Sequence, residues 1–344
     1  MDTVSHGPVI GRSQEAAIST AEPGTIGELG EFGLIAAVAA RMPQPPSAIV
    51  GIGDDAAVLR LPDPRVAVTT DLILEGVHFR REWSAPADVG VKAAARNLAD
   101  LAAMGAVPQT LLAGLAAPPD LPVAWALDFA SGLAGEAARA GASVTGGDMS
   151  GAGQIFISVT AIGSMAGRDP VTRAGARPAD TVAVTGRLGE SAAGLALLEA
   201  GHTGPAGPVD AYRRPAPPYQ AGPEAAALGA TAMIDVSDGL VADLGHIAAA
   251  SGVLIDIETA RLPVPPKLAE AAAALGLDPA APAGAPGALS WLLTGGEDHA
   301  LAATFPPGTQ IPSDWVVIGR VSAGRGVRVD GMNYPGVIGW QHFR

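Results

Sequence analysis

Apolar positions along this chain recur with two periods, and the alternation between them predicts a mixed helix and strand protein. Phe32, Ile35, Val38 and Met42 fall at helical spacing after Gly27-Glu28-Leu29-Gly30 and predict a short amphipathic helix. Ala48–Gly51, Ala56–Leu61 and Arg65–Thr70 read as strands separated by turn residues. Pro86 opens a long helix in which Val89, Ala93, Leu98, Leu101 and Met104 are apolar, and Gly105 closes it. A strand near Gln109–Ala116, a helix near Val123–Ala140 and strands near Ala142–Thr145 and Ile155–Ile162 complete a first half.

Gly163, Gly167, Pro170 and Gly175 break this pattern and mark a domain boundary. The second half restarts with a strand at Thr181–Thr185 and a helix over Glu190–Glu199. Gly201–Pro223 reads as an irregular loop, Ala232–Ser251 as strand, turn and helix, and Val253–Ile257 as a strand. A helix near Lys267–Leu275, a linker over Pro279–Pro286 and a mainly strand-like ending from Trp291 to Phe343 follow. The expectation is an α+β fold of two α/β-mixed domains. Residues 1–26 would be a flexible extension, 27–166 an N-terminal domain and 167–344 a C-terminal α+β domain.

Composition narrows the function. A chain of 344 residues, 48% hydrophobic and 16% charged, has ample material for folded cores. A net charge of −13 argues against nucleic acid or an anionic membrane as partner. The absence of cysteine removes disulfides, thiolate metal sites and cysteine nucleophiles. Met1–Thr20 do not read as a secretory signal, and no apolar stretch approaches the roughly 18 residues of a membrane span. The default expectation is cytoplasmic.

The chemistry lies in short acidic motifs placed where strands are expected to end. They are Gly51-Ile52-Gly53-Asp54-Asp55, Thr69-Thr70-Asp71, Asp100 in Arg96-Asn97-Leu98-Ala99-Asp100, and Gly146-Gly147-Asp148. Asp235-Val236-Ser237-Asp238-Gly239 and Gly295-Gly296-Glu297-Asp298 extend the series. Carboxylates beside hydroxyls are hard oxygen donors of the kind Mg²⁺ prefers when it also holds phosphates. Each motif has an ordinary structural reading as well: turn chemistry for Asp after Gly, and an N-cap for Ser237 or Asp238. Asp100 lies between Leu98 and Leu101, where a carboxylate costs stability unless a partner or a metal compensates it. Together the motifs point to a site that gathers several metal ions around a polyphosphate. The two lysines, Lys92 and Lys267, follow no glycine-rich loop, which excludes a P-loop. The six histidines lack zinc-protease spacing, and Gly186-Arg187-Leu188-Gly189 lacks a dinucleotide fingerprint.

In order and spacing these motifs resemble the thiamine-monophosphate kinase family, within the aminoimidazole ribonucleotide synthetase-like superfamily. Glu75-Gly76-Val77-His78-Phe79, Asn97 to Ala106 and Ser191-Ala192-Ala193-Gly194 extend the match, which runs from about Gly27 to Phe343. The resemblance implies ATP-dependent phosphorylation of thiamine phosphate to thiamine diphosphate, with several Mg²⁺ ions. It also implies a homodimer paired through the N-terminal sheets. By the same resemblance Asp55, Thr69, Thr70, Asp71, Asp100, Asp148, Asp235 and Asp238 are candidate metal ligands, with Asp71 and Asp148 the residues on which catalysis should depend most. Gly147, Arg173 and Ser237 match nucleotide-contacting positions, and His78, Glu297 and Trp340 match positions that contact thiamine phosphate.

The chain departs from the family pattern at Met149, where Thr is usual, and at His299-Ala300, where Tyr-Glu is usual. Two relatives of the superfamily fit less well, because selenophosphate synthetase and the hydrogenase maturation protein rely on cysteines that this chain lacks. Another enzyme resembling aminoimidazole ribonucleotide synthetase, or a non-catalytic nucleotide-binding regulator, stands as the alternative.

Overall fold

The computed structural model describes residues 24–52, 56–202, 207–336 and 338–340. The expected flexible extension falls outside them up to residue 23, and Asp55 lies outside them as well. Thr25 is already structured. It exchanges hydrogen bonds with Glu28 in a reciprocal cap that opens helix α1 (Ile26–Leu29). In α2 (Glu31–Ala39) the buried stripe is Leu34 and Val38, continued by Met42, so Phe32 is 82% exposed instead of belonging to it. Two residues along a helix turn a side chain to the far side, and Leu34 takes the inner position.

After the small antiparallel pair β1 (Ala48–Val50) and β2 (Val58–Leu59), the first half is built from alternating elements. These are β3 (Val66–Leu74), α3 (Pro86–Ala103), β4 (Val107–Ala117), α4 (Val123–Arg139), β5 (Ser143–Gly151) and β6 (Phe156–Ser164). The strands run in the order β3-β6-β4-β5, with only β4 and β5 parallel. Period two sorts the faces: Ile73, Leu111, Leu115, Ile157 and Val159 are buried with α3 and α4, while Val66, Val68 and Leu72 stand exposed on the other face. Gly146-Gly147-Asp148, expected at a strand end, lies inside β5. Pairing with β4 continues through it because Gly147 allows close approach; a Cβ there would sit 2.0 Å from the Ala113 carbonyl oxygen.

The second half contains β7 (Thr181–Thr185), α5 (Glu190–Glu199), α6 (Pro208–Arg213), α7 (Ala221–Ala227), β8 (Ala232–Val236) and α8 (Leu240–Ser251). It continues with β9 (Leu254–Ile257), α9 (Pro266–Ala274), α10 (Ala288–Thr294), β10 (Ala300–Phe305), β11 (Val316–Ser322), β12 (Gly326–Val329) and β13 (Met332–Asn333). The seven strands are ordered β13-β12-β9-β11-β7-β10-β8. Two expectations change here. The supposed loop 201–223 holds α6, with Pro208 in its first turn, and the start of α7. Trp291 lies in α10, where the Ser290 hydroxyl accepts the Gly287 N–H at the helix start.

Helix α3 binds the halves together. Its upper part packs on the four-stranded sheet, and its end, Ala102 and Ala103, joins Ala183, Met233, Leu301 and Phe305 on one face of the seven-stranded sheet. The fold is thus α+β, with a helix shared between its two larger sheets. Among the described residues no helix is long and apolar enough to cross a membrane.

Helices α3 and α4 cross at paired glycines: a Cβ on Gly90 would lie 2.2 Å from the Phe129 carbonyl oxygen, and one on Gly132 would lie 2.1 Å from that of Ala87. Gly135, on the same helix as Gly132, has open space around it. Gly132→Ala should therefore lower the unfolding free energy by about 1–3 kcal/mol through overpacking. Gly135→Ala should raise it by up to about 1 kcal/mol through helix propensity. Denaturant unfolding of both variants checks this; equal effects would show that the crossing relaxes freely.

Candidate active site

Lys92, Arg96 and Asp100 lie four residues apart on α3 and so share one face of the helix. That face looks into the seam between the two sheets. Lys92 is only 1% exposed, and Arg96 is also buried. Charges so enclosed must be paired, and partners arrive from both halves. Arg96 reaches Glu297 through Nη1 and Asp71 Oδ2 through Nε at 3.4 Å. Lys92 Nζ donates to the His78 carbonyl oxygen at 3.1 Å, lies 3.7 Å from Glu297 Oε2 and stands 3.7 Å above the Tyr212 ring. Burial alone would raise the Glu297 carboxyl, but the Arg96 and Lys92 cations hold it well below the ordinary range. Burial pushes the Lys92 ammonium down to about 8 in spite of Glu297.

At the other end of this stripe the acids crowd one another. Thr69 donates to Asp100 Oδ2 at 2.7 Å, and Asp71 N–H donates to Asn97 Oδ1 at 3.0 Å. Burial and the neighbouring Asp235 raise the Asp100 carboxyl to about 7, with Asp71 adding to the effect against the Thr69 hydrogen bond. Asp235, on the face of β8 that bears Met233, lies 3.1 Å from His299 Nδ1. Asp243 accepts the N–H groups of Asp238 and Gly239 at 3.1 and 3.0 Å, and burial followed by Asp235 raises it to about 7. Ligand atoms of Asp238, Asp243 and His246 lie within 4.8 Å of one another.

The loop after α10 is fastened to the turn after β8 by backbone bonds. Glu297 N–H donates to Ser237 at 2.8 Å, His299 to Val236 at 3.0 Å, and Trp340 to Asp238 at 3.0 Å. Glu297 and His299 take φ values of 68° and 53°, a left-handed conformation that costs a non-glycine residue about 1 kcal/mol or more and persists only where the surroundings fix it. Gly296 has to be glycine-sized, since a Cβ would fall 2.4 Å from the Ser237 carbonyl oxygen.

His78, Glu297 and Trp340 line one cavity of about 250 Å³, together with Tyr212, Trp291 and Ser191. Thr69, Asp71, Asp100, Asp235 and Asp238 gather beside it, and Ser237 borders both. Four sequence candidates stand apart. Leu72, Ser158, Gly114 and Asp148 form one cross-strand row, so Asp148 points to the open face of the sheet, opposite to Asp71. Gly147 lies three strands from Asp71, about 14 Å at ordinary strand spacing. Thr70 also turns to the open face, bonded to the Val159 carbonyl and Thr160. Arg173 is exposed at the edge of β8, its carbonyl held by Ser251, and its side chain makes no hydrogen bond or ion pair among the described residues. Sequence reading passed over Lys92, Arg96, Asn97, Tyr212 and Trp291. The four-residue spacing of Lys92, Arg96 and Asp100 on a largely apolar helix was the signal that could have found the first two.

Residues 53–165 match the family described as AIR synthase related protein, N-terminal domain. The chain is 45% identical over 333 residues to the thiamine-monophosphate kinase of Mycobacterium tuberculosis, covering 96% of each. It is 40% identical to that of Corynebacterium glutamicum, over 93% of this chain and 95% of the relative. The solved thiamine-monophosphate kinase of Stenotrophomonas maltophilia K279a superposes with a TM-score of 0.74 at 33% identity, over 87% of this chain and 96% of that one. AaThiL complexed with AMPPCP and TMP gives a TM-score of 0.73 at 35% identity, covering 94% of this chain and all (100%) of that one. Hydrogenase maturation protein HypE, at 19% identity and a TM-score of 0.70 over 89% of this chain and 97% of that one, shares the fold.

Because its folded pKa lies near 8 and its ordinary value is 10.5, Lys92 releases its proton more readily when folded. Between those values the unfolded chain binds more protons, so this group's contribution to stability rises with pH across the window. Wild type should thus gain roughly 1–2 kcal/mol on Lys92→Met between pH 7.5 and 9.5, measured by denaturant unfolding. A gap that stays constant or narrows would contradict the buried-cation assignment.

Proposed function

The chain belongs to the thiamine-monophosphate kinase family, a group of phosphotransferases, and we propose that it performs the family's reaction in the seam between its two sheets. In this reading ATP phosphorylates thiamine phosphate to thiamine diphosphate by direct in-line transfer assisted by several Mg²⁺ ions. The observation that carries it is Arg96. Its guanidinium touches Glu297 on the wall of the aromatic cavity and Asp71 in the acidic cluster, so a ligand in one adjoins a ligand in the other.

The acceptor is a phosphate monoester, largely ionised near pH 7 because its second pKa is about 6. It needs no strong base to make it nucleophilic. The obstacle is repulsion between two anions. The acidic cluster fits metal binding on chemical grounds, since Asp100 is driven up to about 7 by burial and its neighbour Asp235, a crowding that a divalent cation would relieve. Thr69, Asp71, Asp100, Asp235 and Asp238 would hold the ions, with Asp55, Thr70 and Asp148 completing the proposed set. Bound Mg²⁺ would neutralise the phosphates and keep attacking and leaving oxygens in line.

The chain's own groups do the rest. Trp340, 53% exposed at the cavity mouth, offers a face to the flat thiazolium cation. Glu297, held ionised by Arg96 and Lys92, attracts that cation, and His78 offers a hydrogen bond. Gly147, Arg173 and Ser237 are read as nucleotide contacts. The protein is read as a homodimer joined through the open sheet face, where Val66, Val68 and Leu72 are exposed. Asp148 and Thr70 project from that face, so they would act across the pairing.

Mixing the full chain with Mg-ATP and thiamine phosphate should yield thiamine diphosphate, and removing divalent metal should stop the reaction. Asp71→Asn should fold normally and lose roughly 100-fold or more in kcat, the scale of losing one pre-set electrostatic group. No product from the wild type, or a folded Asp71→Asn variant with unchanged turnover, would refute this reading.

A further inference from the structure

Ser191, the second residue of α5, is 1% exposed and forms part of the cavity wall. Its N–H donates to Asp298 Oδ1 at 2.9 Å, but its hydroxyl is enclosed and has no hydrogen-bond partner among the described residues. Glu297 Oε2, on the same wall, likewise makes no hydrogen bond among the described residues and lies 3.7 Å from Lys92 Nζ. A buried polar atom left unpaired costs about 1–3 kcal/mol, so two of them bordering one cavity describe a ligand that brings complementary polar atoms.

A helix start would ordinarily attract an anion. Here Asp298 already takes the Ser191 N–H, and the buried Glu190 in the first turn is paired with Lys267 Nζ at 2.7 Å, so carboxylates occupy the helix start and the Ser191 N–H is not left for an anion. That environment disfavours phosphate and favours a neutral or cationic group with N–H donors. Trp291 and Trp340 line the same cavity, and their rings suit a flat heteroaromatic. We propose that Ser191 is a specificity-determining residue whose hydroxyl bonds the aminopyrimidine of thiamine phosphate, with Glu297 Oε2 accepting from the same ring's exocyclic amine. The inference rests on the substrate reading above and adds to it the residue that reads the pyrimidine.

Trp291 and Trp340 report occupancy directly through their fluorescence. The full chain and Ser191→Ala are titrated, without ATP, with thiamine phosphate and with the analogue phosphate whose pyrimidine carries a carbonyl oxygen in place of the amine. Ser191→Ala should weaken thiamine phosphate by about 5–10-fold, the worth of one net hydrogen bond, and change the analogue by less than about twofold. The KM for ATP should not move. The unliganded variant should unfold at the same temperature or higher, since it loses an unpaired buried hydroxyl. Unchanged affinity for thiamine phosphate, an equal loss for both ligands, or a lower unfolding temperature would each overturn the role of Ser191 and leave the kinase reading standing. A wild-type protein that binds thiamine phosphate not at all would overturn both.

Discussion

Burying charge on α3 is the constraint on which the rest depends. Lys92 and Arg96 are removed from water in a largely apolar helix, and a buried cation stripped of its partner costs several kcal/mol. Neither half satisfies them alone: Asp71 comes from β3, Glu297 from the loop before β10, and the ring of Tyr212 from α6. The fold is therefore fixed across the seam by the same contacts that set the substrate wall beside the acidic cluster. Pairing also explains why Glu297 is held in a left-handed conformation, which backbone bonds to the β8 turn and two cations together maintain.

The opposite end of the helix shows the complementary case. Among the described residues Asp100 and Asp243 have no cation matching Arg96 beside them; their carboxyls rise through burial and repulsion from Asp235. Paired charge at one end of the stripe and excess negative charge at the other suit an organic substrate beside a metal-binding cluster. His299 stands where the family usually has Tyr, and bonds Asp235 through Nδ1. In this chain the departure supplies a partner for a buried acid.

Much of this was legible in the sequence. Helix and strand periods gave most elements, and the order of the acidic motifs gave the family. His78, Glu297 and Trp340, scattered over the chain, do line one cavity. What was lost was lost for identifiable reasons. Thr70 and Asp148 were grouped with Asp71 by motif, whereas strand parity turns them to the opposite face. Helices α6 and α7 were hidden because Pro and Gly, which mark irregular chain, also open helices and allow close packing; a Cβ on Gly222 would lie 1.9 Å from the Ala102 carbonyl oxygen. Lys92 follows no phosphate loop, and its role shows only in its four-residue spacing with Arg96 and Asp100 along one helix face.

The claim that paired charges join the two halves is tested most directly by a double-mutant cycle on Arg96 and Glu297. Arg96→Met, Glu297→Gln and the double variant are compared with wild type for unfolding free energy and for kcat/KM toward thiamine phosphate. Each single change strands a buried charge, so the double variant should be less impaired than the sum of the two by at least about 1.5 kcal/mol in stability. Costs that add within about 0.5 kcal/mol would mean the two groups are independent, and would contradict the account.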